Sequence, residues 1–402
     1  MTDSADLVVV GGGTIGGWAS YFAASSLGKG RVIVLERAQV GDGASSRAAG
    51  VVRAQGGTPA TVALGRWSID FYRSQHDLFG FDSGFRELGY MLLAATGQDV
   101  DDARKRVEMQ RAENLDVRWL TPEEAVAVAP TLGLDGHLGA TYVATDGAID
   151  PPRNVMAYTM ALKQAGVDLR EGTQMTRLVT APGSERKVKV IGVETPDGVI
   201  STERVLLTGG PSLRSIGRRA GIQIPVGGAR HQIAITEPHP GFDVERAPMI
   251  FDLRAGLYWR LEESGLLFGM SNPNEPPGEA RSIDWDYMKK MRVRLAELVP
   301  LTRALDLRKV WAATIDYTPD HLPILGPATT FDGSIEGVTV AAAGGHGMMW
   351  GPAVARIAAD LVLEGKTGLT DVSGLGLDRF DADGRSRLQA DPIALPFPVV
   401  TD

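Results

Sequence analysis

At 402 residues, with 44% hydrophobic and 22% charged residues, the chain has an ordinary globular composition and the length for about two domains. Its 41 Lys plus Arg against 49 Asp plus Glu leave a formal charge of −8, which argues against nucleic acid or an anionic membrane surface as a partner. There is no cysteine, so disulfides, thiolate catalysis, cysteine metal sites and a cysteinyl cofactor link are excluded.

The opening "MTDSADLVVVGGG" puts acidic residues where a signal peptide needs basic ones, and no stretch reaches the roughly 18 apolar residues of a membrane span. The cytoplasm is therefore the expected location. The text then reads strand (Leu7–Val10), glycine turn, helix (about Ile15–Ser26) and strand (Val32–Leu35). Four β-branched or leucine residues in a row suit strands buried on both faces, as in parallel sheets. A loop rich in Gly, Ala and Ser follows over 41–57, and then a helix over about Thr61–Leu78 with Val62, Leu64, Ile69, Phe71 and Tyr72 as its apolar positions. From about Arg86 to Tyr142 one strand-like run, "LGYMLLAA", lies among polar helices.

A helix over about Ala148–Gly166 follows "DGAIDPP", where the proline pair marks a helix start. "DLREGTQMTRLV", "KVKVIGVETPDG" and "ERVLLTGG" read as three short strands with a turn at Pro196–Gly198. Between Ile222 and about Tyr317 strand-like pieces recur ("HQIAITE", "LYWRLE", "GLLFGMS"), and the chain closes on a strand, a glycine turn and a helix. Beyond Arg379 the polar, Pro-bearing tail reads as a surface extension. Nucleotide-binding-like text thus occupies 1–85, 145–221 and 320–380, sheet-rich text is inserted at 86–144 and 222–319, and 381–402 forms the extension.

Gly11, Gly13 and Gly16 form G-x-G-x-x-G directly after a strand and at a helix start. The first glycine permits the tight turn, the second lets the backbone approach a pyrophosphate, and the third allows close helix–strand packing. Glu36, 20 residues on, ends the second strand where a carboxylate accepts hydrogen bonds from a ribose. This motif serves NAD and FAD alike. The loop "GDGASSRAAGVVR", with Ser45, Ser46 and Arg47 among small residues, suits a second phosphate and a flat ring. The closing "GGHGMMWGP" sets bare glycine N–H groups and a helix N-terminus beside the cofactor, which favours negative charge. Reduced flavin develops that charge at N1 and the C2 carbonyl, whereas NADH has no counterpart, so the expected cofactor is FAD.

Together these pieces resemble the D-amino-acid oxidase and sarcosine oxidase superfamily of FAD-dependent oxidoreductases. The resemblance rests on "VVVGGGTIGG", "VIVLER", "GASSRAAGVVR", "RVLLTGGPS", "PVGGARHQIAITE", "YWRLEESGLLFG", "WAATIDYTPDHLPILGP" and "GGHGMMWGPAVARIAADLV", in the family's order, over about residues 5–380. Within the superfamily the chain is most similar to the branch that handles N-methylated or cyclic amino acids: sarcosine, dimethylglycine and proline oxidases and dehydrogenases. The implied fold is α/β, a Rossmann-like FAD-binding domain interrupted by a composite α+β substrate domain with a mostly antiparallel sheet. The implied reaction is oxidation of an amino-acid C–N bond by hydride transfer to flavin N5, giving an imine that hydrolyses. The expected cofactor contacts are Gly11, Gly13, Thr14, Ile15, Gly16, Glu36, Arg37, Ser45, Ser46, Arg47, Ala49, Gly50, Met175, Thr208, Gly209, Gly344, Gly345, His346, Gly347 and Met348.

Two departures from the family carry consequences. Arg47 stands where dimethylglycine-type members often have a flavin-bonded histidine, so with no cysteine the FAD is expected to be non-covalent. Leu267 occupies the place of the sarcosine oxidase lysine that helps oxygen accept electrons, which points away from oxidase activity. For the substrate, the resemblance marks Arg53 as the carboxylate clamp, with Arg260 as the other choice, since an arginine fork binds a carboxylate bidentately. Tyr258 is expected to orient the substrate, and His231 to take the ammonium proton, an unperturbed histidine titrating near pH 6.5. The six histidines show no paired spacing, and no metal site is expected. The expected partners are a small amine or amino acid and oxygen or another electron acceptor, with an oligomer or partner subunit left open. The alternatives are a β-type subunit of a multi-subunit amine dehydrogenase and a nicotinamide-linked dehydrogenase.

Overall fold

The computed structural model describes residues 3–394 apart from 132, 134–135, 184–187, 244–246 and 331–332. Two large sheets organise it. The first runs in the order Asp3–Ser4, Gly198–Ser201, Val188–Thr195, Gly333–Ala342, Val205–Leu207, Leu7–Val10, Val32–Leu35 and Asp168–Arg170. From Gly333–Ala342 onward each neighbour in that order pairs parallel. Arg177–Pro182 and Ile324–Thr330 add antiparallel hairpin arms.

Alternation along the central strands builds a core on each face. Leu7, Val9, Val32 and Val34 pack under four helices: α1 (Thr14–Leu27), α2 (Pro59–Phe79), α5 (Pro151–Gln164) and α8 (Gly351–Glu364), with Trp18, Phe71, Tyr158 and Trp350 as the large residues. Val8, Val10, Ile33 and Leu35 instead meet Leu178, Val190 and Val193 of the antiparallel strands, and Ile216 of α6 (Leu213–Ala220). Helix starts follow the capping rules. Thr58 and Thr61 form a capping box that spans Pro59, and the Asp150 carboxylate accepts from Arg153 N at 3.0 Å across the proline pair.

The second sheet runs Leu307–Tyr317, Gly227–Thr236, Gly265–Met270, Leu257–Glu262, Met249–Asp252, Tyr90–Ala94, Gly139–Val143 and Arg118–Leu120. Met249–Asp252 pairs with Tyr90–Ala94 in parallel, and the other neighbours pair antiparallel. Met91, Leu93, Trp259 and Phe268 face α4 (Pro122–Val128) and α7 (Trp285–Leu298). The opposite face carries Tyr90, Ile233, Phe251 and Tyr258. The helix α3 (Gly97–Ala112) packs beside this sheet, with Val107 in a small core that Tyr72 shares.

Three sequence expectations change. Helix α7 lies where strand-like pieces alone were expected; its buried Met288, Met291, Leu295 and Leu298 carry the 3.6-residue period. The text from 168 to 207 holds five strands rather than three, because the turn at Pro196–Gly198 closes a hairpin between Val188–Thr195 and Gly198–Ser201. The tail is not wholly a surface extension: Asp391 and Ile393 are buried, Ile393 within the apolar cluster of the second sheet.

Candidate active site

The carboxyl ends of the parallel strands are where an open α/β sheet places its ligand, and there the glycine turn opens a cleft. Gly11 has φ +108°, and a Cβ on it would lie 3.0 Å from the backbone of Thr208 and Gly209. A Cβ on Gly16 would sit 1.9 Å from the Gly11 carbonyl oxygen, so the third glycine is there for packing. Glu36 braces the turn from the next strand, accepting from Gly12 N at 2.9 Å and Ala38 N at 3.0 Å. Thr14 N, in the first turn of α1, donates to Ser45 Oγ at 3.0 Å, tying the small-residue loop to the helix N-terminus.

The cleft holds about 1780 Å³ of space, its open mouth included, and both sheets supply its walls. From the first come the glycine turn, Glu36, Arg37, Thr208, Gly209 and the closing turn; from the second come Tyr90, His231, Ile233, Phe251, Tyr258 and Ala313–Asp316. Residues 41–51, Ser46 excepted, run along it. Gly344 (φ +59°) and Gly345 (φ +94°) need the left-handed region to bring His346, Gly347 and Met348 to its wall. α8 has Trp350 at its N-cap position and no side-chain cap, and Tyr72 Oη donates to the Met348 carbonyl at 2.9 Å, which fixes the turn. A glycine-lined opening, a ribose-type carboxylate and two helix N-termini without side-chain caps fit a dinucleotide with an anionic middle.

Arg53, at the end of the loop that runs along the cleft, is 2% exposed. Its Nη1 donates to the Gln55 carbonyl and its Nη2 to the Ile393 carbonyl at 3.2 Å; its Nε has no partner. No carboxylate among the described residues lies in ion-pair range of it, and it borders the cleft beside Tyr90, whose ring centroid is 5.9 Å from the guanidinium carbon. His231 Nε2 and Tyr258 Oη share a hydrogen bond of 2.7 Å, their rings stacked at 5.6 Å and 17°. Burial pushes His231 down to about 4 and Tyr258 up. Burial and the nearby Arg53 charge also hold His346 well below 6.5; its Nδ1 lies 3.2 Å from the Gly344 carbonyl and its ring 4.1 Å from Trp350.

Several expected site residues are placed differently. Arg260, 3% exposed, pairs with Glu262 and donates to the Ala49 carbonyl at 3.2 and 3.1 Å; it does not line the cleft and its fork is taken. His231 does line the cleft, and burial lowers it to about 4, which weakens it as a base for an ammonium proton. Met175 is packed in the core beneath the first sheet, and the Ser46 hydroxyl is spent on the Gly41 carbonyl, so neither reaches the cleft. Arg37 and Arg47 do border it, paired with Glu279 at 3.0 Å and Asp42 at 3.7 Å. Leu267 is buried behind Tyr258 and Ile233.

The sequence reading missed other wall residues. Asp316 borders the cleft with burial raising its pKa and the Gly345, Gly344 and Ala343 N–H groups opposing that rise. Arg281 lies on the rim, forked onto Asp42 at 3.0 and 3.1 Å. Tyr90, Phe251 and Ile393 reach the site only through pairing between distant strands or through the tail, for which no local pattern exists. Among the described residues no helix is long and apolar enough to cross a membrane.

The family model for FAD dependent oxidoreductases (DAO) matches residues 6–361. The 4-methylaminobutanoate oxidase (formaldehyde-forming) of Paenarthrobacter nicotinovorans is 26% identical over 391 residues, covering 94% of this chain and 46% of that protein. Mitochondrial dimethylglycine dehydrogenase of Rattus norvegicus is 26% identical over 382 residues, covering 90% and 43%. The chain thus spans less than half the length of these relatives. The crystal structure of L-proline dehydrogenase from P. horikoshii superposes with a TM-score of 0.84 at 25% identity, covering 94% of this chain and 98% of that one.

Proposed function

The chain belongs to the DAO family of FAD dependent oxidoreductases, and from that premise we propose that it oxidises the C–N bond of an amino acid whose nitrogen is methylated or part of a ring. The observation that carries this reading is Arg53: a buried guanidinium with a free Nε, no carboxylate within ion-pair distance among the described residues, and a place in the same cleft as the His231–Tyr258 pair. The buried Asp146 and Asp391 carboxylates feel the Arg53 charge from beyond ion-pair distance, and a substrate carboxylate supplies the direct charge-assisted partner that the fork lacks. The chemistry of the relatives' names, a methylaminobutanoate, dimethylglycine and proline, agrees with it.

FAD, held by the glycine turn, Glu36, Ser45 and the 345–348 turn, supplies the hydride acceptor. Arg53 fixes the carboxylate and so the position of the adjoining carbon. The hydrogen bond to His231 fixes the Tyr258 hydroxyl at the wall, where it orients the amine. His231, neutral, leaves the ammonium proton to depart to solvent before oxidation. Tyr90, Ile233 and Phe251 keep that part of the cleft apolar. The FAD is non-covalent, since cysteine is absent and Arg47 stands in the loop at the place of the family's linking histidine.

Anaerobic mixing with sarcosine, dimethylglycine, proline, D-amino acids and simple amines tests the reading. Flavin bleaching is expected with one or more of the N-substituted amino acids and not with amines that lack a carboxylate. Bleaching by NADH alone, or by simple amines equally well, overturns it. Acid precipitation should leave all the yellow colour in the supernatant; colour in the pellet overturns non-covalent binding.

A further inference from the structure

We propose that the tail segment Asp391–Ile393 places Ile393 as a specificity wall of the substrate site, where it sets how much bulk can lie beside a carboxylate held by Arg53. The proposal rests on the amino-acid reading above and adds to it a residue outside the flavin-binding and substrate-sheet segments.

Two contacts of one residue carry it. The Ile393 carbonyl accepts from Arg53 Nη2 at 3.2 Å, so the tail holds one arm of the clamp. The Ile393 side chain, 0% exposed to solvent, packs in the cluster that contains Ala49, Tyr90, Phe251 and Tyr258, and it borders the cleft. The guanidinium is thus held at Nη1 by Gln55 and at Nη2 by Ile393, while its Nε is without a partner. A carboxylate that pairs with this fork brings its attached carbon toward the same aromatic and aliphatic wall. β-Branching makes Ile393 stiff at χ1, so the wall yields little to added bulk.

The segment is built into the fold. Asp391 N donates to the Asp320 carbonyl at 3.0 Å, and the Asp391 carboxylate accepts from Ile393 N at 3.0 Å, closing a tight turn. Gly57 makes room for it: a Cβ there would lie 2.1 Å from Asp391 Oδ1 and 2.6 Å from Pro392 Cδ. Asp320 is in turn held by the buried Arg379, whose Nε and Nη2 reach its two oxygens at 2.8 and 3.0 Å. The anchor therefore runs from the fold's buried ion pair to the substrate clamp. The class of substrate that fits is a carboxylate with a compact substituent: a methylated amine or a small ring rather than a branched or aromatic side chain.

The test uses the FAD-loaded protein and a ladder of carboxylates of rising bulk, acetate, pivalate and benzoate, titrated against the absorbance of bound flavin. Ile393→Ala should shift the benzoate-to-acetate affinity ratio at least tenfold toward benzoate, and Ile393→Phe should shift it the other way. Flavin content and melting temperature show that each variant is folded, and the opposed signs of the two variants keep the test decisive if one folds poorly. Wild-type binding with ratios unchanged in the variants, or a uniform loss for all three probes, overturns the wall and leaves Arg53 as clamp. If none of the three perturbs the wild-type flavin, the clamp assignment falls and the wall with it.

Discussion

Replacing Arg53 by Met removes the clamp while keeping an unbranched apolar stem in the same space. Arg53 is 2% exposed, so solvent does not screen it as it screens a surface pair. A hydrogen bond to a charged group contributes about 1.5–3 kcal/mol, or roughly 10- to 150-fold in binding. The absence of a resident carboxylate in ion-pair range puts the expectation in the upper half of that range, because the substrate completes the charge pair rather than displacing one. The substitution also frees the Gln55 and Ile393 carbonyls and removes a positive charge that the buried Asp146 and Asp391 feel, so it costs stability whether or not Arg53 binds substrate. Stability is therefore a poor readout and the ligand Kd a good one. Anaerobic titration of bound flavin should give a Kd for the amino-acid substrate raised by about 50-fold or more in Arg53→Met, with flavin content unchanged. Arg53→Lys, which keeps the charge but loses the fork, should fall between. Equal weakening for a substrate and for its analogue without the carboxylate, or no weakening at all, refutes the reasoning.

Three other outcomes follow from the same geometry. With His231 held at about 4 by burial, the acid limb of kcat/KM should track the amine pKa of the substrate and persist in His231→Gln; a limb near pH 6.5 that vanishes in that variant contradicts this. Asp146, buried with Oδ1 accepting from Ala54 N at 2.8 Å, is raised from 3.8 to about 7, chiefly by burial. Its contribution to stability is thus full below about pH 3.8 and lost as pH rises through 7, so the melting-temperature deficit of Asp146→Asn should be larger at pH 5 than at pH 8; an equal deficit at both contradicts the raised pKa. Oxygen reduction passes through superoxide, which a nearby cation stabilises. Among the described residues no lysine borders the cleft, Leu267 is buried, His231 is held toward its neutral form, Arg37, Arg47, Arg260 and Arg281 are paired, and Arg53 is covered once a carboxylate is bound, so the reduced flavin with that carboxylate bound should react with air more slowly than with an acceptor dye; stopped-flow reoxidation by air at the rate of turnover would show the reverse.

The parts of this site that the sequence discloses are local ones. Leu7–Val10, Val32–Leu35, the two glycine turns and α8 each carry their signal within about fifteen residues, through strand hydrophobicity, left-handed glycines or a 3.6-residue stripe. Tyr90 and Phe251 carry none, because the parallel pairing of Met249–Asp252 with Tyr90–Ala94 that brings them together joins segments far apart in the chain. Ile393 was hidden for a related reason: a polar, proline-bearing tail reads as solvated until Gly57 and Asp320 are seen to hold it. The two candidate arginines show where sequence reasoning reaches its limit. Tyr258 and Arg260 are two apart on one strand, so alternation assigns both to one face of the sheet, and both are indeed buried. Arg53 is buried to the same degree. What separates a clamp from a brace is the company of the charge. Glu262, two residues on from Arg260, neutralises it at the strand's end, while the hydrogen-bond partners of Arg53 are carbonyl oxygens that orient its fork, and Asp146 and Asp391 feel its charge without pairing with it. Burial by itself therefore cannot rank buried arginines as ligand sites; a guanidinium that faces a cleft with no carboxylate in contact can, and of these two candidates only Arg53 is so placed.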